Sequence, residues 1–452
     1  MSDLLTAQIV DLALKTFTSL PTKCKPRTQA DGSREWTPMS AIVLNHSSES
    51  RQIPGNDTDQ LQGGGAKLIS LATGTKSLPV SALPRCNGLV LHDCHAEILA
   101  LRGLNRWLLS EIECLLRDTG YQSQWLETTH SSADESTSLP PFRFRQGVEI
   151  SLFSTEAPCG DASMELLMAA AEAAGQDISP WPSRAEHEGR ATKNGSGLPL
   201  GRGFFSNLGA LRRKPARADA ELSMSKSCTD KLMLKQFTGL LSFPLDSFIQ
   251  RTPETFLTRV IVYQDQFSAT GYARALGPEG RLRAILAQDE GGACNTARFF
   301  EVCTLPSDYQ PFEFGKQGGR QEGVRKNKAS KFSALWVAGG GGLEVDATVE
   351  VLVNGVKQGF KQFDERERKG SVTCRRNMVR KEAELRRLLM ERGIAAPVLE
   401  SGMPCNYSDA KSSPSREHRN SVKQLVLAGL GGWPKEYLRD DFDLDISSSS
   451  IQ

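Results

Sequence analysis

The 452-residue sequence has almost no excess of charge, because 55 Lys and Arg residues are balanced by 53 Asp and Glu residues, for a formal net charge of +2. This balance excludes a uniformly basic surface, so any nucleic acid must bind a local patch, with acidic residues segregated elsewhere. The ten cysteines are few for this length and scattered. They exclude a secreted disulfide scaffold and indicate reduced thiols in the cytosol or nucleus.

The N-terminal region lacks the uninterrupted apolar run of a signal peptide or a membrane span. Leu5, Ile9 and Phe17 share one helical face, but Asp3 and Asp11 interrupt the segment. We therefore expect a helix that packs on the domain, with no targeting segment and no membrane association.

The sequence has no internal repeat, and its 39% hydrophobic residues can form one large core. We expect a single domain over residues 1–445, with loop insertions near 120–146 and 180–203 and a disordered Ser-rich tail at 446–452. Apolar segments predict strands at 41–44, 148–154, 256–262 and 343–353. Strands that alternate with motif-bearing helices indicate an α/β sandwich.

The tripeptide His95-Ala96-Glu97 has the residue types of a catalytic zinc site. Zinc held by three protein ligands keeps a fourth position for water, whose pKa then falls to about 7. A glutamate that is not itself a ligand can take a proton from that water and pass it on. Residues 98–108 repeat apolar side chains at helical spacing, so His95 and Glu97 are expected at a helix N-terminus.

Two later cysteine motifs could complete this site. Cys159 follows Pro158, which suits the first turn of a helix, where the dipole favours a thiolate. Most zinc deaminases of nucleobases have a second cysteine in a P-C-x-x-C pattern, but Ala162 occupies that position here. The third ligand must come from elsewhere, and Cys228 is the best candidate. With Glu97 as the base, this set is typical of a hydrolytic nucleobase deaminase.

The order of these motifs resembles the adenosine deaminases that act on RNA, a family that includes the eukaryotic tRNA-specific enzymes. Further matching segments are Glu35-Trp36-Thr37, Gly74-Thr75-Lys76, Leu211-Arg212-Arg213-Lys214-Pro215, Lys331-Phe332-Ser333 and Gly429-Leu430-Gly431-Gly432-Trp433. The resemblance covers most of the chain. It implies a cytidine-deaminase-like α/β/α sandwich that converts adenosine to inosine, with zinc on His95, Cys159 and Cys228 and with Glu97 as the catalytic residue.

The resemblance also implies a buried inositol hexakisphosphate beneath the active site. A polyanion inside a protein requires cationic partners, because uncompensated buried charge is very costly. The positions that match the family by motif or approximate local alignment are Arg102, Lys231, Arg375, Tyr407, Lys411, Lys423 and Lys435. Without the family, the charges after Lys231 would be interpreted as solvated surface residues.

Asp93 and Lys214 match the residues that connect the family's zinc site to its phosphate ligand through hydrogen bonds. Asp93 could equally cap the helix that His95 opens. Leu101 and Leu234 depart from the pattern, because the family often has arginine at these positions. The departure implies fewer phosphate contacts and leaves the zinc chemistry unaffected.

The substrate that the resemblance favours is tRNA, at the adenosine immediately 3′ of the anticodon of alanine tRNA. The family's editors of double-stranded RNA have separate RNA-binding domains and a Gly-Glu-Gly loop that fills the gap left by a flipped base. We expect no such domain before Trp36, and residues 214–219 run almost directly into the third zinc motif. A base in an anticodon loop is already largely unstacked and needs no such wedge.

Thr75 and Lys76 are expected to contact the RNA, and a later basic cluster could bind its phosphates. The cluster comprises Lys316, Arg320, Arg325, Lys326, Lys328 and Lys331. A solvated loop is an equally good interpretation of this cluster.

Three other functions remain open on sequence grounds: editing of double-stranded RNA or mRNA, cytidine deamination, and RNA binding by a catalytically silent zinc protein. The missing P-C-x-x-C pattern disfavours cytidine deamination. Glu97 argues against a silent protein, because a structural zinc site needs no base. No obligatory protein partner is evident from the sequence.

Overall fold

The structure, a computed structural model, describes residues 2–30, 32–47, 65–129, 139–175, 208–214, 221–287, 297–316, 328–341, 346–394, 406–413, 416–430 and 439–444. Over these residues the chain has a mixed α/β fold with a central sheet and helices, which confirms the predicted fold class.

The strands are β1 (Glu35–Trp36), β2 (Met39–His46), β3 (Lys67–Thr73), β4 (Thr75–Ser77), β5 (Asp93–His95), β6 (Leu126–Thr128), β7 (Phe142–Phe144), β8 (Val148–Ser154), β9 (Leu257–Tyr263), β10 (Glu301–Leu305), β11 (Lys328–Ala329), β12 (Phe332–Val337), β13 (Thr348–Val353) and β14 (Val356–Lys357). The α-helices are α1 (Ser2–Ser19), α2 (Ala96–Arg117), α3 (Met164–Ala173), α4 (Cys228–Thr238), α5 (Ala269–Leu276), α6 (Arg283–Ala287), α7 (Arg375–Glu391), α8 (Tyr407–Lys411) and α9 (Glu417–Gly429). Each of the four predicted strand segments overlaps an observed strand, namely β2, β8, β9 and β13.

The central sheet has eight strands in the order β10-β9-β8-β2-β3-β12-β13-β14. Strand β9 pairs in parallel with β8 and with β10, and all the other pairs of neighbouring strands in this sheet are antiparallel. Side chains alternate between the two faces of β2, so Ile42 and Leu44 lie in one apolar cluster and Ala41 and Val43 in another. The sheet is therefore buried on both faces.

Helix α2 covers one face of the sheet and has the predicted catalytic motif at its N-terminus. Its apolar stripe includes Leu104, Trp107 and Leu108, all fully buried. Burial of each such side chain contributes about 1.5–3 kcal/mol. Gly103 lets the helix approach β3 closely, because a Cβ there would lie 2.5 Å from the Ser70 Cβ.

The predicted N-terminal helix is α1, which buries Ile9 and Phe17 against the other face of the sheet. Among the described helices, none combines the length and the apolar character needed to cross a membrane.

The predicted insertion near 120–146 contains the paired strands β6 and β7. Its segment 130–138 lies outside the described residues, as do the predicted insertion at 180–203 and the predicted tail at 446–452.

Candidate active site

His95 and Glu97 lie where β5 meets helix α2. The short β5 pairs with β4, which places Thr75 opposite His95 and Lys76 opposite Cys94. His95 is the last residue of β5 and also the N-cap of α2, with extended backbone angles. Glu97 therefore lies in the first turn of α2, as the sequence predicts.

Cys159 lies in the loop after β8, not in the first helical turn that Pro158 predicts. The chain forms a 3-10 turn at Asp161–Ser163, and α3 begins only at Met164. Gly160 has a φ of +122°, and a Cβ there would lie 2.3 Å from Ser227 Oγ. The loop therefore approaches the Cys228 motif closely, and that approach excludes a helical start at Pro158.

Cys228 is the first residue of α4. Ser227 caps this helix, because its Oγ accepts a hydrogen bond of 3.1 Å from the backbone N of Asp230. The same hydroxyl donates to Asp230 Oδ2 at 2.6 Å. The Cys228 side chain is completely buried.

His95, Cys159 and Cys228 converge on one point and could hold a metal ion. His95 Nδ1 lies 3.7 Å from Cys159 Sγ and 3.5 Å from Cys228 Sγ. In a tetrahedral zinc site, bond lengths of about 2.0 Å to nitrogen and 2.3 Å to sulfur place such atoms roughly 3.5 Å apart. The three donor atoms thus have the spacing and chemical types that zinc requires.

A second group of possible donors, Cys86, His92 and Asp440, is less suited to a metal. Arg375 donates a 3.3 Å hydrogen bond to His92 Nδ1, and His92 Nε2 lies 2.8 Å from Asp440 Oδ2. If Nδ1 accepts, Nε2 carries the proton and donates to Asp440. Both ring nitrogens are then engaged in an ion network.

Glu97 is 4% exposed, and it is close enough to His95, Cys159 and Cys228 to interact with them electrostatically. Burial raises the pKa of its carboxyl group, and the nearby Cys159 adds to this effect. Glu97 is not one of the three converging donors, although the charges of His95 and Cys159 act on its carboxyl group. It can therefore exchange protons with a bound molecule.

Asp93 and Lys214 form a buried pair directly behind the donor atoms. Lys214 Nζ lies 2.8 Å from Asp93 Oδ2 and 3.5 Å from Cys228 Sγ. Asp93 also accepts hydrogen bonds from Ser225 and Lys231, and its Oδ1 accepts from the His95 backbone N at 3.0 Å. Burial alone would raise the pKa of Asp93, but the two lysines hold it well below its ordinary value. Asp93 thus both orients His95 and connects it to two cations.

Each of the two candidate metal-binding cysteines is followed two residues later by an aspartate that binds an arginine. Arg274 Nε donates to Asp161 Oδ2, after Cys159, at 2.9 Å, and Arg281 donates to Asp230 Oδ1, after Cys228, at 2.8 Å. Both aspartates are completely buried. The repeated C-x-D spacing in the sequence could have indicated the two aspartates, whereas only the fold identifies their arginine partners.

A cavity of about 270 Å³ lies on the other side of Asp93. Its charged lining consists of Arg102, Lys226, Lys231 and Arg375, with Asp93 as the carboxylate. Arg102 Nε donates to the Thr373 carbonyl oxygen at 3.0 Å. The structure thus brings three predicted phosphate-binding residues to one cavity and adds Lys226, which the sequence did not single out.

The remaining predicted phosphate-binding residues lie on α8 and α9. The Arg375 guanidinium lies 5.3 Å from the Tyr407 ring centroid, and Lys411 Nζ lies 6.0 Å from the same centroid. Lys423 is a half-buried residue of α9, whereas Lys435 lies outside the described residues.

Lys235, which the sequence also did not single out, lies one helical turn after Lys231 on α4. Its Nζ donates to the Leu240 carbonyl oxygen and to Ser242 Oγ, each at 3.0 Å. Burial, together with the positive charges of Arg419, Lys411 and Lys423, lowers its pKa well below the ordinary value, although Asp246 opposes the shift. The sequence did contain one indication of its role, because the i, i+4 spacing from Lys231 places both lysines on the same face of α4.

The two positions that depart from the family pattern serve as core residues. Leu101 is 6% exposed, and Leu234 packs against the same large apolar cluster. These side chains stabilise the helices that carry the site.

The predicted RNA contacts Thr75 and Lys76 lie on β4, which pairs with the strand that carries His95. Thr75 is half-buried opposite His95, and Lys76 is exposed. Within the basic cluster, Lys316, Lys328 and Lys331 are described, whereas Arg320, Arg325 and Lys326 lie outside the described residues.

Comparison with known proteins identifies the family. Residues 70–437 match the adenosine-deaminase (editase) domain. The chain is 32% identical over 367 residues to a tRNA-specific adenosine deaminase 1 of Schizosaccharomyces pombe, covering 81% of this chain and 82% of that protein. Similar proteins of the same name occur in Saccharomyces cerevisiae, with 31% identity over 53% of this chain and 54% of the relative, and in Drosophila melanogaster, with 32% identity over 54% and 52%. The chain therefore belongs to the adenosine-deaminase (editase) domain family.

Proposed function

We propose that this enzyme is a zinc-dependent tRNA adenosine deaminase that converts the adenosine immediately 3′ of the anticodon of alanine tRNA to inosine. The observation that carries the proposal is the convergence of His95, Cys159 and Cys228, with Glu97 beside them and outside the donor set. Zinc would bind these three side chains. The chemistry that bound zinc supplies is a lower pKa of water, and hence a nucleophile at neutral pH.

Glu97 is the proton carrier in this proposal. Its carboxylate accepts a proton from the attacking water and delivers it to N1 of the adenine ring as the C6–O bond forms. The second water proton then passes through Glu97 to the amino group, the C6–N bond breaks, and ammonia leaves. The products are inosine and ammonia, and Glu97 returns to its starting state. One buried carboxyl group thus acts first as base and then as acid.

Two observations support tRNA as the substrate. The relatives that are 31–32% identical to this chain are named tRNA-specific adenosine deaminase 1, whereas the double-stranded-RNA-specific editases among the relatives are 25–26% identical. The backbone N of Lys214 also donates to the Ser225 carbonyl oxygen, and the backbone N of Ser223 donates to the Lys214 carbonyl oxygen. These hydrogen bonds leave only residues 215–222 between Lys214 and Ser223. Because so short a segment has no room for a loop that fills the gap left by a flipped base, it favours a substrate whose target base is already unstacked.

The direct test is to incubate the purified, zinc-loaded enzyme with total tRNA and to map inosine by sequencing. We expect inosine next to the anticodon of alanine tRNA, and at least about 10²-fold slower formation of it with the Glu97→Gln variant. A wild-type enzyme that edits duplex RNA and leaves every tRNA unmodified would refute the tRNA assignment.

We further propose that inositol hexakisphosphate binds in the cavity behind Asp93. The four cations that line this cavity outnumber the two carboxylates beside them, because Asp93 pairs with Lys231 and Asp440 with Arg375; the other two cations are Arg102 and Lys226. Partly buried cations repel one another unless an anion lies among them. A compact, multiply charged phosphate ester would offset the charge of all four.

Lys235 supports the same ligand from the next helical turn. Its ammonium group has neutral oxygen partners, and Lys411, Lys423 and Arg419 are close enough to disfavour its charged form. A polyanion between α4, α8 and α9 would reverse this effect. Lys235 could thereby supply a phosphate contact that Leu234, which faces the core, does not.

The ligand should co-purify, because an anion that completes the fold is released only on unfolding. Denaturation followed by mass spectrometry of the released small molecules should give about one inositol hexakisphosphate per chain. Full activity in protein from a host without inositol polyphosphates, with no substitute anion released, would contradict the proposal.

A further inference from the structure

Trp36 lies at the same end of the fold as the catalytic residues. It ends β1, and its carbonyl oxygen accepts a 2.8 Å hydrogen bond from the backbone N of Ser330. Two residues later, the Pro38 carbonyl oxygen accepts from Gly74 N at 3.3 Å, and the Gly74 carbonyl oxygen accepts from Ala96 N at 3.0 Å. Ala96 separates His95 from Glu97. A short chain of backbone contacts therefore connects Trp36 to the catalytic tripeptide.

Lys316 approaches Trp36 from a different segment. Its Nζ lies 4.9 Å from the centroid of the Trp36 ring, which is a cation–π contact. Its backbone N donates a 3.2 Å hydrogen bond to Glu156 Oε1, in the loop that continues to Cys159. Hydrogen bonds thus connect the segment of Trp36 to the one that carries His95, and Lys316 to the loop that carries Cys159.

The environment of this pair differs from that of a core contact. Trp107 and Trp125 are buried in the main apolar cluster, whereas Trp36 is half-buried and belongs to none of the three clusters formed by the described residues. Lys67 also lies over a tryptophan, at 5.4 Å from the Trp107 ring, but that ring is fully buried. An indole that remains partly in water beside an active site is available to a ligand with a flat, apolar face.

We propose that Trp36 and Lys316 bind one nucleotide of the RNA substrate that neighbours the target adenosine. The base stacks on the indole ring, and its phosphate draws the Lys316 ammonium group into an ion pair. Stacking on an aromatic side chain tolerates any base, and the lysine contacts the backbone, so the pair positions the strand without reading its sequence. The inference rests on the proposed function, because it requires an RNA substrate.

The test compares Trp36→Leu, Trp36→Phe and Lys316→Gln with the wild type on an alanine tRNA transcript. We expect Trp36→Leu to raise KM by about tenfold or more, with kcat little changed, because loss of one stacked base weakens binding by roughly that factor. Trp36→Phe should keep most of the affinity. Lys316→Gln should raise KM and reduce by about one the slope of log affinity against log salt.

Lys67→Gln is the matched control, because it removes a cation–π contact at the far end of β3. It should leave KM unchanged. Zinc content and thermal unfolding verify that each variant is folded, and if Trp36→Leu unfolds, Trp36→Phe and Lys316→Gln decide the question. Wild-type KM and salt slope in folded variants would overturn the inference while leaving the tRNA activity established. A wild type that makes no inosine in tRNA would refute the proposed function instead, and tRNA binding by fluorescence anisotropy would still test the pair.

Discussion

Lys214 and Asp93 form a buried ion pair whose two side chains are only 6% and 5% exposed. The lysine also reaches Cys228 Sγ, and the aspartate also accepts from Lys231, which lines the neighbouring cavity. This pair is therefore a direct physical connection between the donor atoms of the candidate zinc site and the candidate phosphate site. A substitution at either of these two sites should therefore have a measurable effect at the other.

The pair should contribute strongly to stability. Lys214→Met leaves Asp93 with one lysine in a buried setting, and we expect a loss of about 3–5 kcal/mol in the free energy of unfolding. The double variant with Asp93→Asn should lose less than the sum of the two single changes. The exposed pair of Arg387 and Glu391 provides a control, for which Arg387→Met should cost about 0–1 kcal/mol. Equal costs for the buried and exposed pairs, measured by urea unfolding, would contradict the assignment.

Cys228→Ala should abolish stoichiometric zinc binding. It removes one of three protein donors, and the two that remain cannot complete a tetrahedral site with a single water. The check is metal analysis by mass spectrometry on purified protein. Cys303→Ala, on the edge strand β10 and outside the donor set, should retain one zinc per chain. A full equivalent of zinc in Cys228→Ala would redirect the search for the third ligand to Cys94 or Cys86.

Glu97→Gln should keep zinc and fold but lower the deamination rate by about 10²–10⁴-fold or more, because an amide cannot carry protons. The side chain keeps its shape, and burial already disfavours the ionised carboxyl group, so stability should change little. Single-turnover deamination of tRNA measures the effect. Glu172→Gln on the exposed part of α3 should have wild-type activity. Near-normal turnover in Glu97→Gln would require another base.

Lys235→Met should have opposite effects on the ligand-free and ligand-bound protein. The pKa of Lys235 in the folded chain is below its ordinary value of 10.5, because of burial and neighbouring cations. The unfolded chain therefore takes up this proton first as the pH falls from 10.5 toward the folded-state pKa, and the ligand-free protein loses stability over that window. The methionine variant should not show this loss, and it should bind inositol hexakisphosphate more weakly.

Thermal unfolding between pH 7 and 10, with and without added inositol hexakisphosphate, measures both effects. Lys381→Met provides a comparison, because Lys381 is paired with Glu113 and Glu384 away from the cavity. A Lys235→Met variant that resembles the wild type in both conditions would remove Lys235 from the phosphate site.

Gly160→Ala should disturb the zinc site more than its small size suggests. The residue has a left-handed φ, and its new Cβ would meet Ser227, which caps α4. We expect loss of zinc affinity together with a destabilisation of more than about 2 kcal/mol. Gly175→Ala, with a φ of +61° and no atom within 4 Å of the new Cβ, should cost about 1 kcal/mol from the backbone alone. Equal effects of the two substitutions would show that the contact with Ser227 is unimportant.

The sequence by itself determined the local features of this protein. The helical spacing after Glu97 predicts α2, because an amphipathic stripe buries itself whatever the rest of the fold. The apolar run at 148–154 predicts β8, and the two-residue offset of His95 and Glu97 places both at the start of one helix. These features depend on neighbours in the chain.

Only the tertiary structure decided which distant residues meet. Gly160 approaches Ser227 and shifts the helix start from Pro158 to Met164, an effect of a contact across 67 positions that local pattern cannot contain. Local pattern likewise does not contain the cations of α8 and α9 that surround Lys235. Nor does it contain the contact between Trp36 and Lys316, which are 280 residues apart in the sequence. Charges and rings acquire their roles from burial and from neighbours in space, and these are set by the packing of the sheet and helices.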